Sequence, residues 1–287
     1  MDSTNEDVIL VMKKQESTIY RRRGDLENPL ASRLPITSQQ WRQTIVSWMF
    51  AVTDQFQIRS NVVAAAAYYI DVSVEKLQIT SPTGYQLLSM AALHLAIKLH
   101  DAISTAFPLS EFIKVANGEF EECDVIAMER KVISALDWHL HPPTPFCFVD
   151  AYFTLLPQSA NDNLEVKFRI QETTERILQA ALIENKFKSC QPSNVAYVAI
   201  LLAMEQLGNH DMDPFDSQAF LSSIERFAHL SIQLIHVYQE LEPLVAHKGN
   251  AGDPEKQPIG NKSSQSACTS SPSECSTKSI VISQELV

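Results

Sequence analysis

Residues Thr83 to Asp101, TGYQLLSMAALHLAIKLHD, constrain the fold more than any other stretch. The length suits a helix, and its middle, Leu87 to Leu99, is apolar or small on every side. A surface helix keeps one polar face; a helix apolar all round lies inside a bundle. Ala91, Ala92 and Ala96 allow neighbouring helices to approach closely. One strong charge, Lys98, stands near the end of a segment that otherwise avoids charge. The chain is therefore expected to be all-α, with other helices ringed around this one.

Apolar periodicity places those neighbours. Trp41, Ile45, Trp48, Val52 and Phe56 share one face of a helix over 41–57, with Thr37 and Gln40 spaced as a capping box. A second helix covers 61–75, capped by Ser60 or Asn61. Thr80-Ser81-Pro82 opens the central helix. A short helix over 110–116 and another over 121–137 follow, the latter with Val125, Met128, Val132 and Leu136 inward. The run Trp138 to Pro145 holds three prolines and reads as a stiff boundary. Beyond it the plan repeats as a pattern of burial. Thr144 and Pro145 start a helix to Leu156, Pro157 to Asn163 is a loop, and Leu164 to Glu184 is a long helix. Gln191 to Met204 is a second buried helix ended by Gly208, and helices over 217–226 and 230–245 complete the unit. Ahead of both units, Glu6 to Tyr20 reads as one helix with Val8, Met12 and Ile19 on a shared stripe. The expected organisation is a lead-in over 1–37, one five-helix unit over 38–141, a second over 142–246, and a disordered Ser/Thr-rich tail over 247–287. Ser271, before Pro272, is a candidate phosphorylation site in that tail.

Charge and motif content narrow the function. A net charge of −11 argues against a nucleic-acid binder, which needs a basic face. The seven glycines form no phosphate-cradling loop, and there is no GxSxG or HExxH. Five cysteines without a CxxC pair read as reduced thiols inside a cell. The polar, acidic first residues are not a secretory signal, and no apolar run reaches the roughly 20 residues of a membrane span. Lys13-Lys14 with Arg21-Arg22-Arg23 has the form of a split nuclear import signal, though a solvated helix face is the plainer account. His139 and His141 lack a companion ligand and read as capping groups; no metal or other cofactor is expected. Tyr85 and His94 read as core.

Several motifs stand in order at consistent spacing. They are Trp41-Arg42-x-x-Ile45-x-x-Trp48, Tyr69-Ile70-Asp71, Leu95-Ala96-Ile97-Lys98, Met128-Glu129, and Leu136-Asp137-Trp138-His139-Leu140. Together they resemble a cyclin box from about 38 to 140, of the G1 or D-like kind, and the second half resembles the degenerate second box. His141 to Pro145 is similar to a divergent cyclin group of diatoms and related algae. The retinoblastoma-binding segment Leu-x-Cys-x-Glu is absent.

The resemblance implies a regulatory subunit without catalysis of its own, forming a heterodimer with a cyclin-dependent kinase in the nucleus and cytoplasm. It implies that Lys98 and Glu129 pair and hydrogen-bond kinase main chain. Without it, Lys98 reads as a snorkelling lysine and Glu129 as an exposed carboxylate. The resemblance also places a docking patch for substrates or inhibitors carrying Arg-x-Leu on Trp41, Thr44, Ile45, Trp48, Tyr85 and Gln86. Here Trp41 replaces a methionine and Thr44 an apolar residue. The acidic positions fall near Ala51 and Asn117, with Asp54 or Glu119 to compensate. Those departures weigh against that peptide class, and Trp41 and Trp48 equally fit a core stripe. The alternative to a kinase activator is a cyclin-fold scaffold or transcription-related adaptor. An all-helical enzyme ranks last, because no nucleophile, base and orienting group assemble from the motifs.

Overall fold

Ser81 accepts a hydrogen bond from the Gly84 amide and Pro82 occupies the first turn, so helix α4 (Pro82–His100) begins where the sequence signals it. Twelve of its nineteen residues are buried, with Ala91, Ala92 and Ala96 fully enclosed. In this computed structural model the described residues are 3–21, 36–101, 108–115, 120–208, 212–227 and 232–246. They form helices and no strands. Around α4 lie α2 (Ile36–Gln55), α3 (Ser60–Lys76), α5 (Leu109–Val115) and α6 (Glu122–Ala135). Of these, α2, α3 and α6 pack directly on α4. The second unit comprises α7 (Pro145–Phe153), α8 (Gln158–Asp162), α9 (Leu164–Ile183), α10 (Pro192–Leu207), α11 (Pro214–Glu225) and α12 (Ile232–Ala246). There α10 takes the central place, packed against α7, α9 and α12 and closed by Gly208 at φ 72°. Thr144 caps α7 through the Cys147 amide, 3.2 Å away.

Two apolar cores result, one around α4 and one around α10. They meet along α3, whose Ala64 belongs to the second core while its neighbours belong to the first. Arg42 of α2 crosses the same boundary. Its guanidinium donates to both Asp71 oxygens, at 2.8 and 3.1 Å, and to the Leu182 carbonyl at the end of α9, 3.0 Å away. Burial opposes its charge, but the Asp71 carboxylate outweighs that and raises the Arg42 pKa further. The 138–144 connection is fastened as well. The Tyr69 hydroxyl donates to the Leu140 carbonyl, and Tyr20 accepts from the His141 amide at 3.2 Å.

The structure corrects several sequence expectations. Helix α1 (Ser3–Ser17) exposes Val8, leaves Met12 partly buried, and docks through fully buried Ile9, while Ile19 lies exposed in the turn beyond its end. A polar anchor sets that rotation. The Glu16 carboxylate accepts from the Ser193 amide (3.1 Å) and hydroxyl (2.6 Å) at the start of α10, where free amides favour an anion. Thr37 lies inside α2, which already starts at Ile36. Neither Ser60 nor Asn61 caps α3; Arg59 stands at the cap without a side-chain bond, and Ser60 instead donates to Glu175 at 2.6 Å. The expected 157–163 loop contains α8, five residues that are too few to show a helical period. The tail with Ser271, the basic residues Arg22 and Arg23, and the 228–231 junction lie outside the described residues.

Removing Arg42 takes two hydrogen bonds from the buried Asp71 carboxylate and leaves Lys188 3.7 Å from it. Arg42→Ala is expected to cost about 3–5 kcal/mol in urea unfolding, and Arg42→Met with Asp71→Leu much less. Equal losses for the two variants would contradict this assignment.

Candidate functional site

The one charge near the end of the buried helix finds its partner on the adjacent helix. Lys98, in the last turn of α4, places its Nζ 2.6 Å from Glu129 Oε2 on α6. The two ends of the pair differ in burial. The Glu129 side chain is 8% exposed and that of Lys98 39%. An ammonium has three donors and the carboxylate takes one, so Lys98 retains two for an outside acceptor. Glu129 Oε1 is met by His94 Nδ1 at 2.6 Å, from one turn earlier on α4. The His94 ring stacks on Phe112 of α5, with centroids 5.8 Å apart and planes at 27°.

Sequence reading assigned His94 to the core. It is buried, but it is also the third member of this polar group. An isolated histidine on an apolar face gives no local signal of a partner 35 residues away. Burial alone would raise the Glu129 pKa. The hydrogen bonds from His94 and Lys98, with the Lys98 charge, overcome that and hold the carboxyl below its usual range.

Exposed apolar side chains stand on the same elements. Leu99 follows Lys98 on α4, Ile126 lies one turn before Glu129 on α6, and Trp138 lies just past α6, 77% exposed. Asp137 and Trp138 both have left-handed backbones, at φ 50° and 64°. That conformation is uncommon for a bulky L-residue. The Lys76–Asp137 ion pair, 2.8 Å, ties the turn back to α3. Trp138 belonged to a recognised motif, but nothing in the letters told that its indole faces outward.

The second candidate group, Trp41, Thr44, Ile45, Trp48, Tyr85 and Gln86, assembles where α2 meets α4. Trp41 and Thr44 are half-buried, and Ile45, Trp48, Tyr85 and Gln86 are buried. Trp41 leans on Tyr85 with centroids 5.9 Å apart, and Trp48 contacts Phe112 at 6.2 Å. Most of this stripe is therefore core. Trp48 Nε1 and Gln86 Nε2 are nevertheless buried donors without an acceptor among the described residues. Such a group costs about 1–3 kcal/mol until one is supplied. Asp54 and Ala51 are exposed on α2, while Asn117 and Glu119 lie outside the described residues.

The histidines of the connection serve local contacts. His139 Nδ1 lies 3.3 Å from the Leu136 carbonyl at the end of α6, and the His141 ring meets His100 edge-on at 5.1 Å. No group of three or more potential metal ligands occurs among the described residues.

Comparison with known proteins matches these features to one family. The family model for the cyclin N-terminal domain matches residues 7–141, and that for the cyclin C-terminal domain matches residues 143–276. The chain is 28% identical to Cyclin-D3-3 of Arabidopsis thaliana over 179 residues, covering 62% of this chain and 48% of that relative. It is 19% identical to the G2/mitotic-specific cyclin-A of Drosophila melanogaster over 208 residues, covering 72% and 40%. The chain spans about half the length of the curated relatives it matches. A viral cyclin from herpesvirus saimiri shares the fold, with a TM-score of 0.65 and 15% identity over 83% of this chain and 96% of that one.

The depressed Glu129 pKa sets a pH dependence. A carboxyl lowered on folding stabilises the fold above its ordinary value of 4.5 and loses that contribution as pH falls through the folded value. The melting-temperature difference between wild type and Glu129→Gln is therefore expected to be full near neutral pH and to shrink below about pH 4. A difference that stays constant into acid would show that the pairing contributes nothing.

Proposed function

Because the chain belongs to the cyclin family, we propose that it is the regulatory subunit of a cyclin-dependent kinase, binding the catalytic subunit and activating it for cell-cycle progression. The observation that supports this reading is the Lys98–Glu129 pair, made by adjacent helices with its cation half in solvent. Two unused ammonium donors suit main-chain carbonyls of a partner, and Leu99, Ile126 and Trp138 supply apolar surface on the same elements.

The chain contributes no phosphate chemistry itself. Efficient phosphoryl transfer requires the kinase's catalytic glutamate to reach its ATP-orienting lysine. A partner that binds the helix carrying that glutamate more tightly in its active position shifts the population toward it. The subunit works where its kinase works, in nucleus and cytoplasm. Among the described residues no helix is long and apolar enough to cross a membrane.

A secondary role for the α2–α4 patch rests on its two unpartnered donors. Because both atoms are enclosed, carbonyl groups of a docked substrate or inhibitor segment would satisfy Trp48 Nε1 and Gln86 Nε2 only if the side chains covering them move aside. With an alanine at position 51, that segment is read by main-chain and apolar contacts rather than through an arginine.

Co-purification with a recombinant cyclin-dependent kinase should yield a complex active on histone or peptide substrates. Lys98→Ala or Glu129→Ala should each weaken binding by about 2–5 kcal/mol, since the remaining partner is left unpaired at a desolvated contact. A double substitution that binds like wild type would overturn the interface. Binding without activation would identify a scaffold instead.

A further inference from the structure

We propose that His94 is a positioning residue for the docking pair: it holds the Glu129 carboxylate so that the Lys98 ammonium is presented to the partner at a fixed point. This rests on the docking role given to Lys98 and Glu129. His94 and Lys98 are four residues apart on α4, hence on one face, and each takes a different oxygen of the same carboxylate at 2.6 Å. A carboxylate bonded only to an exposed lysine can turn and travel with that flexible side chain. Bonded at both oxygens, it is fixed in plane and direction.

The imidazole is itself fixed. Its side chain is 9% exposed, and Phe112 stacks on it from α5. A leucine or phenylalanine would fill such a site on this otherwise apolar helix without the cost of burying a polar ring. The cost is met by the bond to Glu129. Because the carboxylate accepts only, Nδ1 carries the proton of that bond. The ammonium, pulled toward an immobile anion, keeps its two outward donors aimed the same way. Less side-chain freedom is then lost when a partner binds.

The test uses the full chain and a recombinant cyclin-dependent kinase catalytic subunit that captures it. His94→Leu should weaken affinity roughly 10- to 100-fold, the worth of one hydrogen bond to a charged group. His94→Asn sets an amide N–H near the place of Nδ1 and should recover most of that affinity. His94→Gln sets it near Nε2 and should not. In a Lys98→Ala background His94→Leu should add little, because the two act on one carboxylate. Should His94→Leu fail to fold, the Asn and Gln pair makes the same comparison. Equal losses for Asn, Gln and Leu, additive with Lys98→Ala, would reduce His94 to packing against Phe112 and overturn the proposal. Imidazole nitrogen shifts of the free chain give a partner-independent readout. The Nδ1–H form is expected, and an Nε2–H tautomer would overturn the positioning role. If Lys98→Ala leaves kinase affinity unchanged while the Nδ1–H form is found, the docking role fails and the His94–Glu129 bond stands.

Discussion

The join between the two units depends on a buried guanidinium. Arg42 bonds both to an acid inside the first unit, Asp71, and to a helix-terminal carbonyl of the second, that of Leu182. The last carbonyls of a helix have no intrahelical partner, and a cation near them is favoured. The contact therefore works as a cap for α9 delivered from the other unit. Its direction matters as much as its strength. A planar fork that must meet a carboxylate on one side and a carbonyl on the other admits few relative placements of α2, α3 and α9. Apolar contact through Ala64, with Leu182 and Ile183 of α9 packed against the first core, brings the units together, and Ser60 of α3 bonds Glu175 of α9 beside it.

Two other buried carboxylates follow the same plan of two intrachain partners each. Glu16 receives both the amide and the hydroxyl of Ser193, with Lys13 Nζ 3.2 Å away. Glu129 receives His94 and Lys98. What separates the third acid from the first two is that its hydrogen-bonded cation is the exposed one; at Asp71 the equally exposed Lys188 stands off at 3.7 Å. Arg42 and Lys13 have side chains only 6% and 15% exposed, whereas that of Lys98 is 39% exposed. Sealed pairs have spent their donors on the fold and specify geometry. A pair with one wet end keeps donors in reserve, and Lys98 with Glu129 is such a pair.

The legible parts of this fold were those with a local cause. Ser81-Pro82, Thr144-Pro145 and Gly208 act within a few residues of themselves, and each ends or begins a helix where the letters place it. Apolar or small residues on every side of 87–99 required enclosure, and α4 is buried from Leu88 to Ile97. The pairing of Lys98 with Glu129 was reached only through family resemblance. Features set by distant polar partners left no trace in the local pattern. The face by which α1 docks depends on Ser193, 177 residues beyond Glu16, and apolar periodicity alone placed Met12 against the core but missed Ile9 and turned Val8 inward. His94 failed for the same reason, because burial and hydrogen bonding are equally compatible with one histidine on an apolar face.

Both candidate surfaces share a covering residue in Phe112. Its ring meets both Trp48 and His94, so the α2–α4 patch and the Glu129 group are joined through a single aromatic side chain. Phe112 is fully buried although its helix has only seven residues. A helix that short has little stability of its own and is held in place by what it covers. The indole and the imidazole thus both help to seat α5, along with Ile113 in the first core and the packing of α5 on α6. Loosening either ring removes part of the support for the other, and substitutions in the two surfaces are bound to interact through α5 even though no hydrogen bond connects Trp48 to Glu129.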